Sequence, residues 1–581
     1  MSDGKRYRVL VLDADMIPAL TVSRSLAQRG CHVYLAGHVE RPLASRSNAI
    51  DTYYQYPDPL QSTNLFVEWL LAHVESNEYD LVVPVTERVV VPLSRNIEKF
   101  SRIKIALPSR ESLEVALDKS RTLTLAKKVG VPCPHSVTVS TVEQLSAAAA
   151  TLNFPVVIKP SRSIAVAASG SSQLQVSYAF DLSELESGCE HALKFGPVIL
   201  QEYFAGDGVG IELIAKQGEI IYSFQHLRLH EVPLTGGGSS LRKSVPVMPD
   251  LLEASRKLIS ALGWNGVAMV EFKHNPRSDK FCLMEINGRF WGSLPLAAAA
   301  GADFPAMLFD LEVKGAVGAY PPYRNNVYCR LLSRDMHWYE AILRSDADTR
   351  IVNVPDAAGV LKGLGLFLHP RHRYDVQSLL DPLPGLIDIG QMLKIYYSRA
   401  LAFLDELKFR GQQRKAWSSG EVAAAISSAR SILFLCYGNI NRSALADVLV
   451  RAYAEDSGIV VASAGFHDEE GRPADPVMVE VAAQFDLELG NLRSSCVTPQ
   501  QLRDSDVIFV MEKRHYDKLL DMDIGLSKKI FLLGAHHGGT SRSVEIEDPY
   551  GRAQDVYLAC YEQVVEAVDQ IKSVIALQVG E

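Results

Sequence analysis

The segment Cys436-Tyr437-Gly438-Asn439-Ile440-Asn441-Arg442-Ser443 sets a thiol six positions before a guanidinium. A buried-strand pattern, SILFLC (431–436), runs straight into Cys436, and an amphipathic helix pattern, SALADVLVRAYAED (443–456), begins directly after Arg442. The loop between them wraps a helix N-terminus, where backbone N–H groups and the helix dipole favour an anion. The same field favours the Cys436 thiolate, the nucleophilic form of the side chain. Arg442 offers a planar fork that matches two phosphoryl oxygens. Together these parts suit attack on a phosphate ester, whose leaving oxygen needs a proton. Asp548, in Glu547-Asp548-Pro549-Tyr550, is the candidate donor; Pro549 stiffens its loop and Tyr550 presents a ring for stacking. Taken alone, Asp-Pro-Tyr is a common turn, and a cysteine at a strand end is ordinary buried packing.

A second constellation lies in GVAMVEFKHNPRSDKFCLMEINGRFWG (266–292). Two apolar runs flank the turn HNPRSD, which predicts a hairpin with Glu271 and Glu285 directly or nearly opposite. Glu285, Asn287 and Arg289 alternate and share one face. Two carboxylates and an amide oxygen on one patch call for a cation between them. An all-oxygen set favours a hard ion, hence Mg²⁺ with a polyphosphate, with Mn²⁺ as the alternative. A solvated strand face is the plainer reading, but both glutamates interrupt otherwise apolar runs. Lys159 ends the buried run FPVVIKP and precedes the small-residue loop 161–172, whose N–H groups can approach phosphates. Lys119 falls within a helix predicted over 113–129. In VILQEYFAGDGVGIELI (198–214), a strand, a break and a strand follow one another. Glu202, Tyr203 and Phe204 at the break can offer backbone groups to an adenine edge, and Asp207 can reach a ribose. Singly, these residues read as an edge lysine, an exposed helical lysine and turn formers.

The elements that must hold these groups are legible in outline. YRVLVLD (7–13), a helical spacing over 17–29, CHVYLAG (31–37) and YDLVVPV (79–85) open an α/β domain. Its first turn lacks the glycine fingerprint of dinucleotide binding. Thr86 and Glu87 follow a strand end, where such sheets place ligands, although a helix cap explains them equally well. Strands and helices alternate to about 313, residues 320–410 are mixed, and RGQQRKAWSSGE (410–421) has the composition of a linker. The expected segments are 1–112, 113–318, an accessory region 319–408, a linker 409–428, and 429–581.

Composition sets the limits. The chain has 581 residues, 47% apolar and 22% charged, with a net charge of -9. That suits a multidomain globular protein and gives no cause to expect nucleic acid as a partner. Asp13 and Asp15 break the N-terminal apolar run, so no signal peptide is expected, and Asp303 and Asp310 break the most apolar stretch, so no membrane span is expected. Eight scattered cysteines without a CxxC suggest a reducing, cytoplasmic setting.

CYGNINRS, Ser463-Ala464-Gly465, GRPADP (471–476), Arg493-Ser494 and the Asp-Pro-Tyr turn together resemble a low-molecular-weight protein tyrosine phosphatase over about 430–575. The resemblance implies a Rossmann-like parallel sheet, Cys436 as nucleophile forming a phosphocysteine, and Arg442 as phosphate clamp. It implies Asp548 as general acid and then base, Ser443 bonded to the thiolate, and Asn439 bracing the loop beside Gly438. Asn441 stands where many members carry a second cysteine, Ala444 where proline is common, and Gly551 where a second tyrosine is usual; the stretch after Gly465, FHDEE, is acidic where many members are aromatic or apolar. These last two departures leave phosphotyrosine or a small phosphate ester open as substrate. An arsenate reductase or a phospho-residue binding module is the alternative for this domain.

DKxxT (118–122), FPVVIKP, QEYFAGDG, HLRLHEVPLTGGGSSLR (226–242), VEF and MEINGR resemble the ATP-grasp superfamily over about 110–310. The implied architecture is an open α/β (pre-ATP-grasp) domain followed by α+β grasp domains. Lys119 and Lys159 would bind ATP phosphates, Glu202 to Phe204 the adenine, and Glu271, Glu285 and Asn287 Mg²⁺. Arg289 would face the transferred phosphoryl group or the carboxylate, and the 235–240 loop with Arg228 and Arg242 would close over the acceptor. The implied activity is ligation of a small-molecule carboxylate to an amine through an acyl phosphate. A nucleotide sensor gating the phosphatase is the alternative. ATP-grasp ligases often dimerise, which leaves a homodimer open.

Overall fold

The computed structural model describes residues 6–160, 165–167, 170–172, 176–344, 350–352, 354–454, 457–536 and 544–579. The chain divides into two units, Met1–Leu393 and Lys394–Glu581.

The first unit opens with β1 (Arg8–Val11), β2 (His32–Gly37), β3 (Thr52–Gln55) and β4 (Leu81–Val83), a parallel sheet in the order β3-β2-β1-β4. Strands β1 and β4 are buried apolar runs, as a parallel sheet covered by helices requires. The strand order reverses between β1 and β4, and their carboxyl ends are stitched there: Thr86 N–H donates to Asp13 Oδ2 at 2.7 Å.

A second sheet, β5 (Ser136–Val139), β6 (Val156–Pro160), β9 (Ser177–Ala179) and β10 (Val198–Glu202), has the order β5-β10-β6-β9; β7 (Ala165–Ala167) and β8 (Gly170–Ser172) form a separate hairpin. A third sheet carries β11 (Asp207–Lys216), β12 (Glu219–Val232), β13 (Gly238–Val245), β14 (Gly266–Asn275), β15 (Lys280–Asn287), β16 (Tyr328–Arg330) and β17 (His372–Tyr374). Its order is β15-β14-β11-β12-β13-β16-β17. One face packs on the helix Pro249–Ala261 through Leu251, Leu258, Ile211, Leu213 and Phe272; the other face carries the polar residues of interest. Among the described residues no single helix is long and apolar enough to cross a membrane; the apolar pair Leu294–Ala300 and Phe304–Lys314 is bent by 92°.

Three expectations from the sequence need correction. The helix predicted over 113–129 is two helices, Arg110–Leu117 and Lys119–Lys128, because the Asp118 carboxylate caps the second through the Arg121 N–H. Lys119 therefore begins a helix rather than lying inside one. The grasp sheet does not stop near 318, since β16 and β17 extend it. The stretch 409–428 is no linker: the helix Pro382–Ser418 runs through its first half and the helix Glu421–Ser428 fills much of the rest. Its apolar positions explain this, for Phe409, Ala416, Val422 and Ile426 are buried in the core of the second unit.

That unit is built on β18 (Ser431–Cys436), β19 (Val460–Gly465), β20 (Val507–Val510) and β21 (Ile530–Leu532), a parallel sheet in the order β19-β18-β20-β21. Helices Arg442–Ala454 and Gln554–Val579 pack against it. The chain is thus a multidomain α/β protein with an open parallel sheet, an antiparallel sheet, a mainly antiparallel seven-stranded sheet and a C-terminal Rossmann-like parallel sheet.

Candidate active sites

In the second unit, β18 delivers Cys436 to its carboxyl end and the helix Arg442–Ala454 starts six residues later. Between them Asn439 takes φ +52, a left-handed conformation that asparagine tolerates better than most residues. The turn curls back so that Asn439 N–H donates to Cys436 Sγ at 3.2 Å, while Ser443 Oγ lies 3.0 Å from the same sulfur. Asn439 Nδ2 donates to Ser443 Oγ at 3.0 Å, and Asn439 Oδ1 accepts the Ser495 N–H at 2.9 Å. Gly465 leaves room for the loop, since a Cβ there would fall 2.8 Å from the Tyr437 carbonyl. Arg472 Nη2 reaches the Gly438 carbonyl at 2.6 Å.

Arg442 is wholly buried. Its Nη1 donates to Glu512 Oε1 at 2.5 Å and to the Ile546 carbonyl at 2.8 Å, and its Nη2 lies 2.7 Å from Asp548 Oδ2. Burial works against its charge, but Cys436, Asp548 and Glu512 outweigh burial and hold it protonated. The structure thus brings together Cys436, Arg442, Ser443, Asn439 and Asp548. Tyr550 stays exposed, two residues beyond Asp548. Asn441 is buried and ties the loop to Asp475 through its amide at 3.3 Å. Sequence reasoning missed Glu512, which follows β20 at a carboxyl end of the sheet, and this placement was the available signal. Neither further cysteine is poised as a thiolate. Cys496 Sγ donates to the His467 carbonyl at 2.8 Å, and burial pushes Cys560 up to about 12.

In the first unit, Glu271 and Glu285 are directly paired across β14 and β15. Asn287 lies two residues on, buried, with its amide nitrogen donating to Glu285 Oε1 at 3.0 Å. Arg228, from β12, lies across β11 to meet Glu271 Oε2 at 2.5 Å. Glycine at 208 makes that crossing possible, because a Cβ there would stand 2.8 Å from Arg228 Cδ. Burial raises Glu271 above the ordinary carboxylate range, with Arg228 pulling against it. Burial acts on Glu285 too, yet Lys119, the Asn287 amide, Arg289 and Arg228 together hold it low. Among the described residues no group of three His, Cys, Asp or Glu is arranged to hold a metal. A cation here would rest on two carboxylates and the Asn287 amide oxygen. That hard, sparse donor set fits an ion that keeps part of its water shell and binds polyphosphate.

Lys159 Nζ donates to Gln201 Oε1 at 2.5 Å, and its pKa is brought down to about 8 by burial and by nearby Lys119. Lys273, missed in the sequence although it shares the Glu271 face two residues on, lies 5.0 Å over the Tyr203 ring and is lowered by burial. The Glu202 carboxylate accepts from Asn153 N–H at 2.9 Å, and the Glu202 and Tyr203 N–H groups go to the His135 and Pro155 carbonyls at 2.9 and 3.0 Å. The side chain of Glu202 and both amides therefore fix the break between β10 and β11. Phe204 is half-buried, and exposed Asp207 opens β11 within electrostatic reach of Lys273. Arg289 Nη2 lies 3.3 Å from Glu87 Oε1. Phosphate contacts expected of 161–172 fall largely outside the described residues.

Arg242 is the clear departure. It is buried and ion-paired with Asp375, one residue past β17, instead of facing an acceptor. The extension of the sheet by β16 and β17 supplies this partner, which spacing could not reveal.

The Cys436 site and the Glu271–Glu285 pair fall within two matched regions, while Lys119 and Lys159 lie before the first of them. Residues 431–579 match the family model "Low molecular weight phosphotyrosine protein phosphatase", and residues 194–333 match "ATP-grasp in the biosynthetic pathway with Ter operon". The low-molecular-weight protein-tyrosine-phosphatase Wzb of Salmonella typhi is 36% identical over 130 residues, which is 22% of this chain and 83% of that protein. The low-molecular-weight protein-tyrosine-phosphatase PtpB of Staphylococcus epidermidis is 32% identical over 141 residues, 24% of this chain and 96% of its own. Among solved structures, an L-amino acid ligase from Bacillus licheniformis aligns with TM-score 0.43 and 14% identity, covering 54% of this chain and 75% of the ligase.

Proposed function

From a chain that belongs, through residues 431–579, to the low-molecular-weight phosphotyrosine protein phosphatase family and carries an ATP-grasp domain before it, we propose a bifunctional enzyme: an ATP- and Mg²⁺-dependent carboxylate–amine ligase and a cysteine-dependent phosphatase.

For the phosphatase, the supporting observation is one sulfur, Cys436 Sγ, set among an amide N–H, a hydroxyl and the arginine fork. The Cys436 thiolate attacks phosphorus, Arg442 and the loop N–H groups hold the equatorial oxygens, and Asp548 protonates the leaving oxygen. Water, deprotonated by Asp548, then hydrolyses the phosphocysteine. Ser443 steadies the thiolate, and Asn439 keeps the loop curled. Tyr550 stacks on an aryl substrate such as phosphotyrosine. The test is turnover of p-nitrophenyl phosphate, expected in the wild type and abolished in Cys436→Ser; activity retained in that variant would refute the nucleophile assignment.

For the ligase, the supporting observation is the direct opposition of Glu271 and Glu285 beside Asn287, facing a set of lysines. Glu271, Glu285 and Asn287 would hold Mg²⁺, which when bound neutralises phosphate charge. Lys119 and Lys159 receive the ATP phosphates, the 202–204 break receives the adenine, and Asp207 receives the ribose. Arg289 faces the γ-phosphoryl group as it passes to the substrate carboxylate, giving an acyl phosphate and ADP. The amine attacks the acyl carbon, a proton leaves the amine, and phosphate departs as the amide forms. ADP release against pooled carboxylates and amines tests this: a pool that stimulates the wild type but not Glu285→Ala is expected. Stimulation that persists in Glu285→Ala would overturn the site, and silence across a broad pool would favour the nucleotide-sensor reading.

A further inference from the structure

Three guanidinium groups converge on the glycine-rich turn between β12 and β13. Arg228 Nη1 donates to the Gly237 carbonyl at 3.2 Å, and Arg242 Nη1 donates to the Ser239 carbonyl at 2.9 Å. The third is Arg334, from the helix Leu332–Arg344 that follows β16. It packs on Gly238 so closely that a Cβ there would fall 2.5 Å from its Nη1, and its Nη2 donates to the Val232 carbonyl at 2.7 Å. Glycine at 238 leaves the guanidinium lying against the turn backbone.

Two of the three charges are neutralised. Arg228 is paired with Glu231 and Glu271, and Arg242 with Asp375. Arg334 makes no ion pair among the described residues, and the charges it meets are those of Arg242 and Arg228. A half-buried guanidinium with no carboxylate partner among the described residues, whose protein acceptor is a carbonyl, leaves one uncompensated positive charge and a planar fork for an anion. Arg228 spans from the turn to Glu271, so Arg334 stands one side chain away from the carboxylate pair. The lysine that bears on Glu285 most strongly, Lys119, comes from a different element, the helix Lys119–Lys128. The Arg334 position is therefore separate from the groups assigned to the ATP phosphates.

We propose that Arg334, with the Gly236–Gly238 turn, binds a second anionic group, a carboxylate or a phosphate, carried by the substrate that the first unit ligates. This inference rests on the ligase reading of the cleft. It also gives the region 319–408 a task. Strands β16 and β17 widen the sheet, Asp375 pairs with Arg242, and the helix after β16 delivers Arg334 to the turn.

The test uses the full-length chain saturated with Mg²⁺ and the β,γ-imido analogue of ATP, which fills the triphosphate positions. Calorimetric titration with succinate is the carboxylate arm and titration with inorganic phosphate is the phosphate arm. Succinate should bind the wild type once, and Arg334→Gln should weaken it at least tenfold. If the site takes phosphate, two sites per chain are expected, one lost in Arg334→Gln and the other in Arg442→Ala. Arg334→Lys, which keeps the charge and loses the fork, should fall between, and it replaces Arg334→Gln if that variant misfolds. Unchanged affinity for the ATP analogue shows the cleft intact. Equal binding of both anions by the wild type and Arg334→Gln, or no anion bound beyond the Arg442 site, would overturn the proposal. ADP release separates the two readings. Anion binding that depends on Arg334 without any stimulated ADP release would leave the anion site standing and remove the ligase. Stimulated ADP release whose KM for the acid or amine ignores Arg334 would do the reverse.

Discussion

Glu512 holds one arm of Arg442, the proposed phosphate clamp, and replacing it with glutamine should weaken phosphate binding and catalysis together. Its carboxylate accepts from Arg442 Nη1 at 2.5 Å, while Arg442 is buried and keeps Asp548 and the Ile546 carbonyl as its other partners. Glutamine preserves the shape and one acceptor but removes the charge. Arg442 stays ionised, so the bond to glutamine remains charge-assisted but falls from the top towards the bottom of the range of about 1.5–3 kcal/mol for such bonds, a loss of about 1–2 kcal/mol. At 1.4 kcal/mol per tenfold, that corresponds to a fall of about 5–30-fold in kcat/KM for p-nitrophenyl phosphate. On the proposed mechanism Arg442 would touch phosphate in the ground state as well as in the transition state. The inhibition constant for inorganic phosphate should therefore weaken by a similar factor. Arg514 also meets Glu512, at 2.7 Å, but is largely exposed, so Arg514→Ala should change either quantity less than about twofold. The carboxylate is half-buried, and burial tends to raise it, but the bonds from Arg442 and Arg514 and the Arg442 charge hold it below its usual range. A depressed carboxylate contributes above its unfolded pKa and loses that contribution as pH falls through the folded value. An acid limb in phosphate affinity should thus be present in the wild type and absent in Glu512→Gln. Phosphate inhibition and kcat/KM within twofold of wild type would refute the reasoning.

Asp548→Asn should leave the loop intact and lower kcat by about 10²–10⁴-fold with p-nitrophenyl phosphate, with a smaller loss for a substrate whose leaving group needs no proton. Lys159 is held down to about 8 mainly by burial, so if ATP binds its protonated form as proposed, ATP should bind more weakly as pH rises through 8 in calorimetry; Lys159→Met should bind poorly and lack that pH dependence. Because unfolding restores an ordinary lysine that binds more protons between about 8 and 10.4, the wild type should gain stability relative to Lys159→Met over that interval. Arg242→Ala leaves Asp375 buried without its cation and should cost about 3–5 kcal/mol in denaturant melts. Arg334→Gln, by contrast, should change the melting curve little.

How much of this was legible in the residues differs from one arginine to the next. Arg442 was legible because everything that defines it is local: a strand ending at Cys436, a helix starting at Arg442, and five residues between. The opposition of Glu271 and Glu285 was equally legible up to register, since the hairpin joining them is a short-range element. Arg228 meets Glu271 across β11, and the glycine at 208 that lets it cross a strand carried no signal of its own. Arg242 and Arg334 were beyond reach. What separates them is Asp375, more than 100 positions from Arg242, and which arginine it neutralises depends on how β16 and β17 join the sheet. Charge alone does not tell a ligand-binding arginine from a structural one; the presence or absence of a distant carboxylate does.

The stretch 409–428 gives a sharper case, because composition suggested a linker and packing makes it part of the phosphatase unit. Gln413 Oε1 accepts the Leu532 N–H at 2.8 Å, and Trp417 Nε1 donates to the Leu532 carbonyl at 3.0 Å. Leu532 ends β21, the edge strand of that sheet, so these two side chains satisfy backbone groups that the edge would otherwise expose. Gln413 is buried, and replacing it with alanine leaves a buried N–H without an acceptor, at about 1–3 kcal/mol. Trp417 packs on Phe509 with ring centroids 5.9 Å apart, and its replacement by alanine should cost about 3–5 kcal/mol. A true linker would tolerate either change within about 0.5 kcal/mol. Urea unfolding of the full chain, followed by loss of p-nitrophenyl phosphate turnover, reads this unit without the other. Gln413→Ala and Trp417→Ala should both lower its midpoint, with native kcat below the transition because neither residue touches the Cys436 loop. Midpoints equal to wild type in both variants would return 409–428 to the status of a spacer and move the start of the phosphatase unit back to about residue 429.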